Sequence, residues 1–117
     1  MGGRSFTRVS YTAGAAIQFG NETAMCKTDN LSLRGMYLKT EINIPLDIPV
    51  QVTVFHCGLS YIKVNARVVR KEANGIGLQI SSMLADSFAQ LRDIVAQNSR
   101  DPGMVMKETF GMLECIN

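Results

Sequence analysis

The amino-acid sequence predicts a mainly β domain, a small antiparallel barrel or sandwich followed by a helix. About six short segments alternate in hydropathy or run through β-branched residues, each bounded by Gly, Pro, Asn or Asp turn signals. After Ile80 the apolar spacing changes from two residues to about 3.6, the helical period. The 117 residues, 46% hydrophobic and 19% charged, suit one core in one domain, large enough to stand without metal or disulfide staples.

Each element follows from its own residues. Residues 1–10 are polar and glycine-rich and are expected to form a loose arm, followed by the barrel and its helix over 11–99 and a helical or mobile tail over 100–117. Tyr11 to Phe19 leads into "GNE", a turn signal, and "TAMCKT" returns, so the two segments read as a hairpin. "DNLSLRG" reads as a turn, because Asp29, Asn30 and Ser32 readily bond their own backbone. "MYLKTEI" alternates weakly, with Met36 and Leu38 on one face and Thr40 as a third candidate. Pro45 and Pro49 bracket a connection, since proline cannot donate to a central ladder. "VQVTVF" puts Val50, Val52 and Val54 on one face, and "YIKVNARVVRK" does the same with Ile62, Val64, Ala66 and Val68. "HCGLS" between them reads as a turn that carries His56, and "EANG" turns into a last strand, "IGLQI".

In the tail, Leu84, Phe88, Leu91 and Val95 recur at helical spacing, with Ser81 or Ser82 as the expected N-cap. A second short helix is expected after Asp101, its cap, with Pro102 in the first turn, where a missing N–H is harmless. Gly103 and Gly111 weaken that helix. Met104, Met106 and Met112 form either an adaptable contact surface or packing against the barrel.

Composition excludes several classes of function. A net charge of +2 is too small for bulk nucleic-acid binding. Single-stranded nucleic acid would need aromatic platforms, and the chain has no Trp and 7% aromatics. Cys26, Cys57 and Cys115 are odd in number and form no C-x-x-C, so neither a disulfide framework nor a zinc ribbon is expected. Reduced thiols, no signal-peptide pattern and no apolar run near 18 residues make the cytoplasm the expected location, with no membrane span. His56 is the single histidine and has no second histidine for a paired metal site. There is no G-x-S-x-G elbow, "GNETAMCKT" lacks P-loop spacing, and the G-x-G of "NGIGLQI" leads into a strand. Asp86 and Asp93 read as a solvated helix face. No catalytic residue, metal or cofactor is expected.

Two sets of residues remain. Arg4 and Arg8 stand four apart on the polar arm, and "NLSLRG" holds Asn30, Ser32 and Gly35. Arginine's planar fork makes paired bonds to a phosphate or to the O6/N7 edge of guanine, and two such forks on one arm can close on a single anion. Asn30 offers both a donor and an acceptor, Ser32 a compact hydroxyl, and Gly35 a close backbone approach.

On these residues the chain resembles the PilZ domain family. "RSFTR" meets that family's R-x-x-x-R motif, and "NLSLRG" meets its [DN]-x-S-x-x-G motif, with two candidate strands between them. "ARVVRKEANGIGLQI" is similar to its last strands, and the resemblance runs from about residue 4 to residue 97. Gly3 stands where many binding members carry a further arginine, and Asn30 where aspartate is frequent. The resemblance implies a six-stranded antiparallel β-barrel with a C-terminal helix, a non-enzymatic receptor for the bacterial second messenger cyclic di-GMP. It implies that Arg4 and Arg8 contact phosphates and guanines, that Asn30 and Ser32 read a guanine, and that Gly35 shapes the backbone. It also implies a relay to a separate effector protein. The alternative it leaves is a protein-interaction module in pilus or motility assembly that does not bind the nucleotide.

Overall fold

A computed structural model describes residues 6–117. Seven strands follow in chain order: β1 (Val9–Ser10), β2 (Gly14–Phe19), β3 (Glu22–Leu31), β4 (Gly35–Lys39), β5 (Pro49–Cys57), β6 (Ser60–Glu72) and β7 (Gly75–Met83). All pairings are antiparallel. The order β3-β2-β5-β6-β7-β4 returns to β3, so six strands close into a barrel and β1 adds to β3 as a short seventh. Closure removes the unpaired edges that an open sheet of this size would expose.

The barrel closes around the residues that the period-two pattern selects. Ile17 faces Val52, Val52 faces Val64 and Val64 faces Met83, one interior rung across four strands. Ala15, Val54 and Ile62 make the next rung, and all seven side chains are buried. Gly58, at a φ of 52°, supplies the positive dihedral of the β5–β6 turn.

Four expectations need correction. Asp29 and Asn30 are not in a turn. They lie in β3, because Asn30 pairs with Ser10 on one side and Tyr37 on the other. The turn is displaced to Ser32–Gly35. His56 is not in the β5–β6 turn but half-buried in β5, with its Nε2 2.5 Å from Gln90 Oε1 on the following helix. Ser81 and Ser82 do not cap that helix. They extend β7, where the Ser82 hydroxyl accepts from Asn65 Nδ2 and the Ser81 hydroxyl donates to the Asn65 carbonyl, each at 3.0 Å. Leu84, expected on the apolar face, is the N-cap residue and is exposed.

Helix α1 (Ala85–Asn98) buries Phe88, Leu91, Ile94 and Val95 against the barrel. The Ser87 hydroxyl accepts the Lys63 N–H at 3.0 Å and docks the helix on β6. Helix α2 (Pro102–Glu108) begins at the Asp101 cap, whose carboxylate accepts the Met104 N–H at 3.1 Å, and runs into a 3-10 helix (Thr109–Cys115). Val105 and Met112 are fully buried, while Met104 and Met106 stay about half exposed, so the methionines divide between core and surface. The chain ends against β7, with the Asn117 N–H donating to the Met83 carbonyl at 2.8 Å. No helix among the described residues is long and apolar enough to cross a membrane.

The three thiols occupy different environments. Cys57 is exposed, Cys115 is buried, and burial pushes the half-buried Cys26 thiol up to about 11. Because the thiolate is the nucleophile, a disulfide-exchange reagent at pH 8 is expected to label Cys57 quickly and the other two only after unfolding. Mass spectrometry of the partly labelled protein reads this directly. Equal rates at all three would contradict the burial.

Candidate ligand-binding site

The site forms where β3 turns into β4, with Val9–Ser10 running antiparallel beside β3 and Arg8 just ahead of them. Ser32 builds the turn. Its N–H donates to the Gly35 carbonyl at 2.9 Å, and its hydroxyl oxygen accepts the Arg34 and Gly35 N–H groups at 3.2 and 3.0 Å. The side chain is buried in this role. Gly35 pairs with Gln79 of β7, and a Cβ at position 35 would lie 2.4 Å from the Leu78 carbonyl oxygen. The close approach inferred for Gly35 is thus made by neighbouring backbone.

The arm, expected to be loose, is tied down from Thr7 onward. Val9 is buried and pairs with Leu31, and Ser10 pairs with Asn30. Just beyond, the buried Thr28 hydroxyl accepts the Ala13 N–H and donates to the Tyr11 carbonyl. This pairing carries Arg8 over Asn30, and the guanidinium donates to Asn30 Oδ1. The Asn30 amide nitrogen donates to Asp29 Oδ2 at 3.1 Å, which fixes which end of the amide faces Arg8.

Arg8 stands between two open cavities of about 420 and 390 Å³, within the usual range of small-molecule sites. The first is lined by Arg34, Ser32, Gln79 and Phe6, the second by Tyr37 and Arg70. Arg70 lies over the Tyr37 ring, 5.4 Å from its centroid, and pairs with Glu72 at 3.2 Å; the Tyr37 hydroxyl donates to the same carboxylate at 2.8 Å. That hydrogen bond is the main reason the Tyr37 phenol is held above its ordinary pKa. Arg8 makes no ion pair with any described acid. As a residue it is exposed, yet its pKa is lowered, first by partial burial of the guanidinium and then by the charge of Arg70. A cation that is partly desolvated and faces another cation is stabilised by a bound anion.

Arg8, Asn30, Ser32 and Gly35 therefore come together, and Arg4 lies outside the described residues. Sequence reading missed Arg34, Arg70 and Tyr37 as wall residues. Arg34 was visible as an unspecified position inside "NLSLRG". Arg70 carried no signal, because only the pairing of β6 with β7 brings it beside Arg8. No cluster of three or more His, Cys, Asp or Glu that could hold a metal occurs among the described residues.

Comparison with known proteins agrees on the architecture. Residues 3–97 match the family model described as PilZ domain. No curated protein matches by sequence. The Bacillus subtilis inhibitor of motility MotI/DgrA superposes with a TM-score of 0.70 at 16% identity, over 83% of this chain and 51% of its own. The PilZ domain of CeSA from a cellulose-synthesising bacterium gives 0.59 at 16% identity, over 90% of this chain and 96% of its own. Borreliella burgdorferi PlzA, solved in complex with c-di-GMP, gives 0.62 at 12% identity, over 78% of this chain and 40% of its own. The chain thus spans about half of the MotI structure and less of PlzA.

Proposed function

Because the chain belongs to the PilZ family, we propose that it is a receptor for cyclic di-GMP, with Arg8 as the central ligand contact and no reaction of its own. The observation that carries this is Arg8 itself. It is a cation without an acidic partner among the described residues, bonded to a neutral amide and flanked by two cavities that other arginines also face. In the complex Arg8 gives its fork to a phosphate or a guanine edge, and Arg4 adds a second fork from the same arm. Asn30, released from Arg8 or shared with it, bonds a guanine edge. Ser32 and Gly35 hold the turn that lines the first cavity. The bound arm then offers a changed surface to an effector protein, and the ligand shifts that equilibrium by its differential affinity for the two arm positions.

Thermal unfolding tests the reading. Cyclic di-GMP at about 100 times its dissociation constant contributes about 2.7 kcal/mol, a rise of roughly 10 °C in Tm for a domain of this size. The rise should shrink in 0.5 M salt, since the contacts are charge-assisted and lie near the surface. A shift with a single-stranded oligonucleotide instead would indicate a nucleic-acid-binding barrel. No shift with either would favour the pilus or motility interaction module.

A further inference from the structure

The C-terminal segment after Ser99 lies beyond the region matched to the family, yet it touches the candidate site in three places. Glu108, at the end of α2, accepts three bonds from Thr7. The N–H reaches both carboxylate oxygens at 2.9 and 3.0 Å, and the hydroxyl donates to Oε2 at 2.7 Å. Gly111 lies against the Phe6 ring, where an added Cβ would come within 3.1 Å of Cζ. Arg34 Nη1 points at the Cys115 sulfur at 3.6 Å. Two of these contacts fall on the arm immediately before Arg8, and the third on an arginine of the first cavity.

We propose that α2 and the 3-10 helix form a clasp that pre-orders the N-terminal arm, with Glu108 as the positioning residue that sets Arg8 over Asn30. The role of the clasp in binding rests on the cyclic di-GMP reading. A free arm loses conformational entropy at every residue that orders on a ligand. The Glu108 carboxylate meets part of that cost in advance, through charge-assisted bonds to the residue immediately before Arg8. Val105 and Met112 are buried in the core, with α2 packed against α1 and the 3-10 helix against β7, so the clasp is a fixed support for the arm. Coupling is reciprocal: a ligand that orders the arm also strengthens its bonds to Glu108.

Two readouts on the full-length chain test this. The first needs no ligand: amide hydrogen exchange at Thr7 in the wild type, Glu108→Gln and Glu108→Ala. Exchange is expected to quicken about tenfold in Glu108→Ala and less in Glu108→Gln, which keeps one acceptor oxygen. The second is titration of cyclic di-GMP into the same three proteins. Affinity is expected to fall about tenfold for Glu108→Ala, since a less populated competent arm lowers apparent affinity in proportion, and to fall less for Glu108→Gln. Unchanged exchange at Thr7 overturns the clasp. Faster exchange with unchanged affinity overturns the positioning role. If the wild type binds no cyclic di-GMP, the receptor reading falls together with that role, and the exchange result alone decides whether the clasp orders the arm.

Discussion

Arg8→Ala is expected to weaken cyclic di-GMP binding about a hundredfold while leaving Tm within about 2 °C of the wild type. The side chain is exposed and, among the described residues, makes no ion pair and bonds only the Asn30 amide oxygen, so the fold draws little from it. Its removal relieves a cation facing Arg70. The ligand, in contrast, loses a planar fork. Each charge-assisted bond is worth about 1.5–3 kcal/mol, and two of them exceed the roughly 2.8 kcal/mol that a hundredfold change represents. Arg8→Lys keeps the charge and loses the fork, so an intermediate loss of about tenfold is expected. Calorimetric titration of the three proteins reads the series. Equal affinities would remove Arg8 from the site.

Gly35→Ala is expected to produce the reverse pattern, a large loss of stability that carries the site with it. The added Cβ would lie 2.4 Å from the Leu78 carbonyl oxygen, far inside van der Waals contact. That oxygen belongs to β7, which pairs with β4 from Gly35–Gln79 to Lys39–Gly75 and with β6 on its other side. The neighbour is backbone held on both sides and cannot swing away as a side-chain tip would. Overpacking of this kind costs about 1–3 kcal/mol, and displacement of a paired strand puts Gly35 at the upper end, a fall of roughly 10 °C in Tm. Urea unfolding of Gly35→Ala beside the wild type measures it. A midpoint within error of the wild type would mean that β4 and β7 are not in this register.

The contrast between these two substitutions also shows what a single sequence can reveal. The period-two runs in β5 and β6 were legible because one face of each strand fills the barrel, and a slip of one residue would invert every side chain. The cap at Asp101 and the helix start at Pro102 were legible because they depend on adjacent residues. Asn30 was misread as part of a turn. Its own preference favours a turn, but strands on both sides supply ladder partners, and one of them, Ser10 of β1, is distant in sequence. Ser81 and Ser82 were misread for the same reason, since Asn65 of β6 engages both hydroxyls. At the candidate site, Arg8, Asn30, Ser32 and Gly35 stand out in the sequence as parts of two short motifs. Arg70, Tyr37 and Glu108 do not, because each joins the site through a fold contact. Thr7 is separated from Glu108 by the whole barrel in sequence and meets it only through the fold.

Reception of cyclic di-GMP through the arginine arm is decided by isothermal titration of cyclic di-GMP into the wild type beside an Arg4→Ala/Arg8→Ala double variant that unfolds at the same temperature. Micromolar or tighter binding by the wild type, lost in the variant, is the predicted result. No heat from the folded wild type, or equal binding by both proteins, would contradict it.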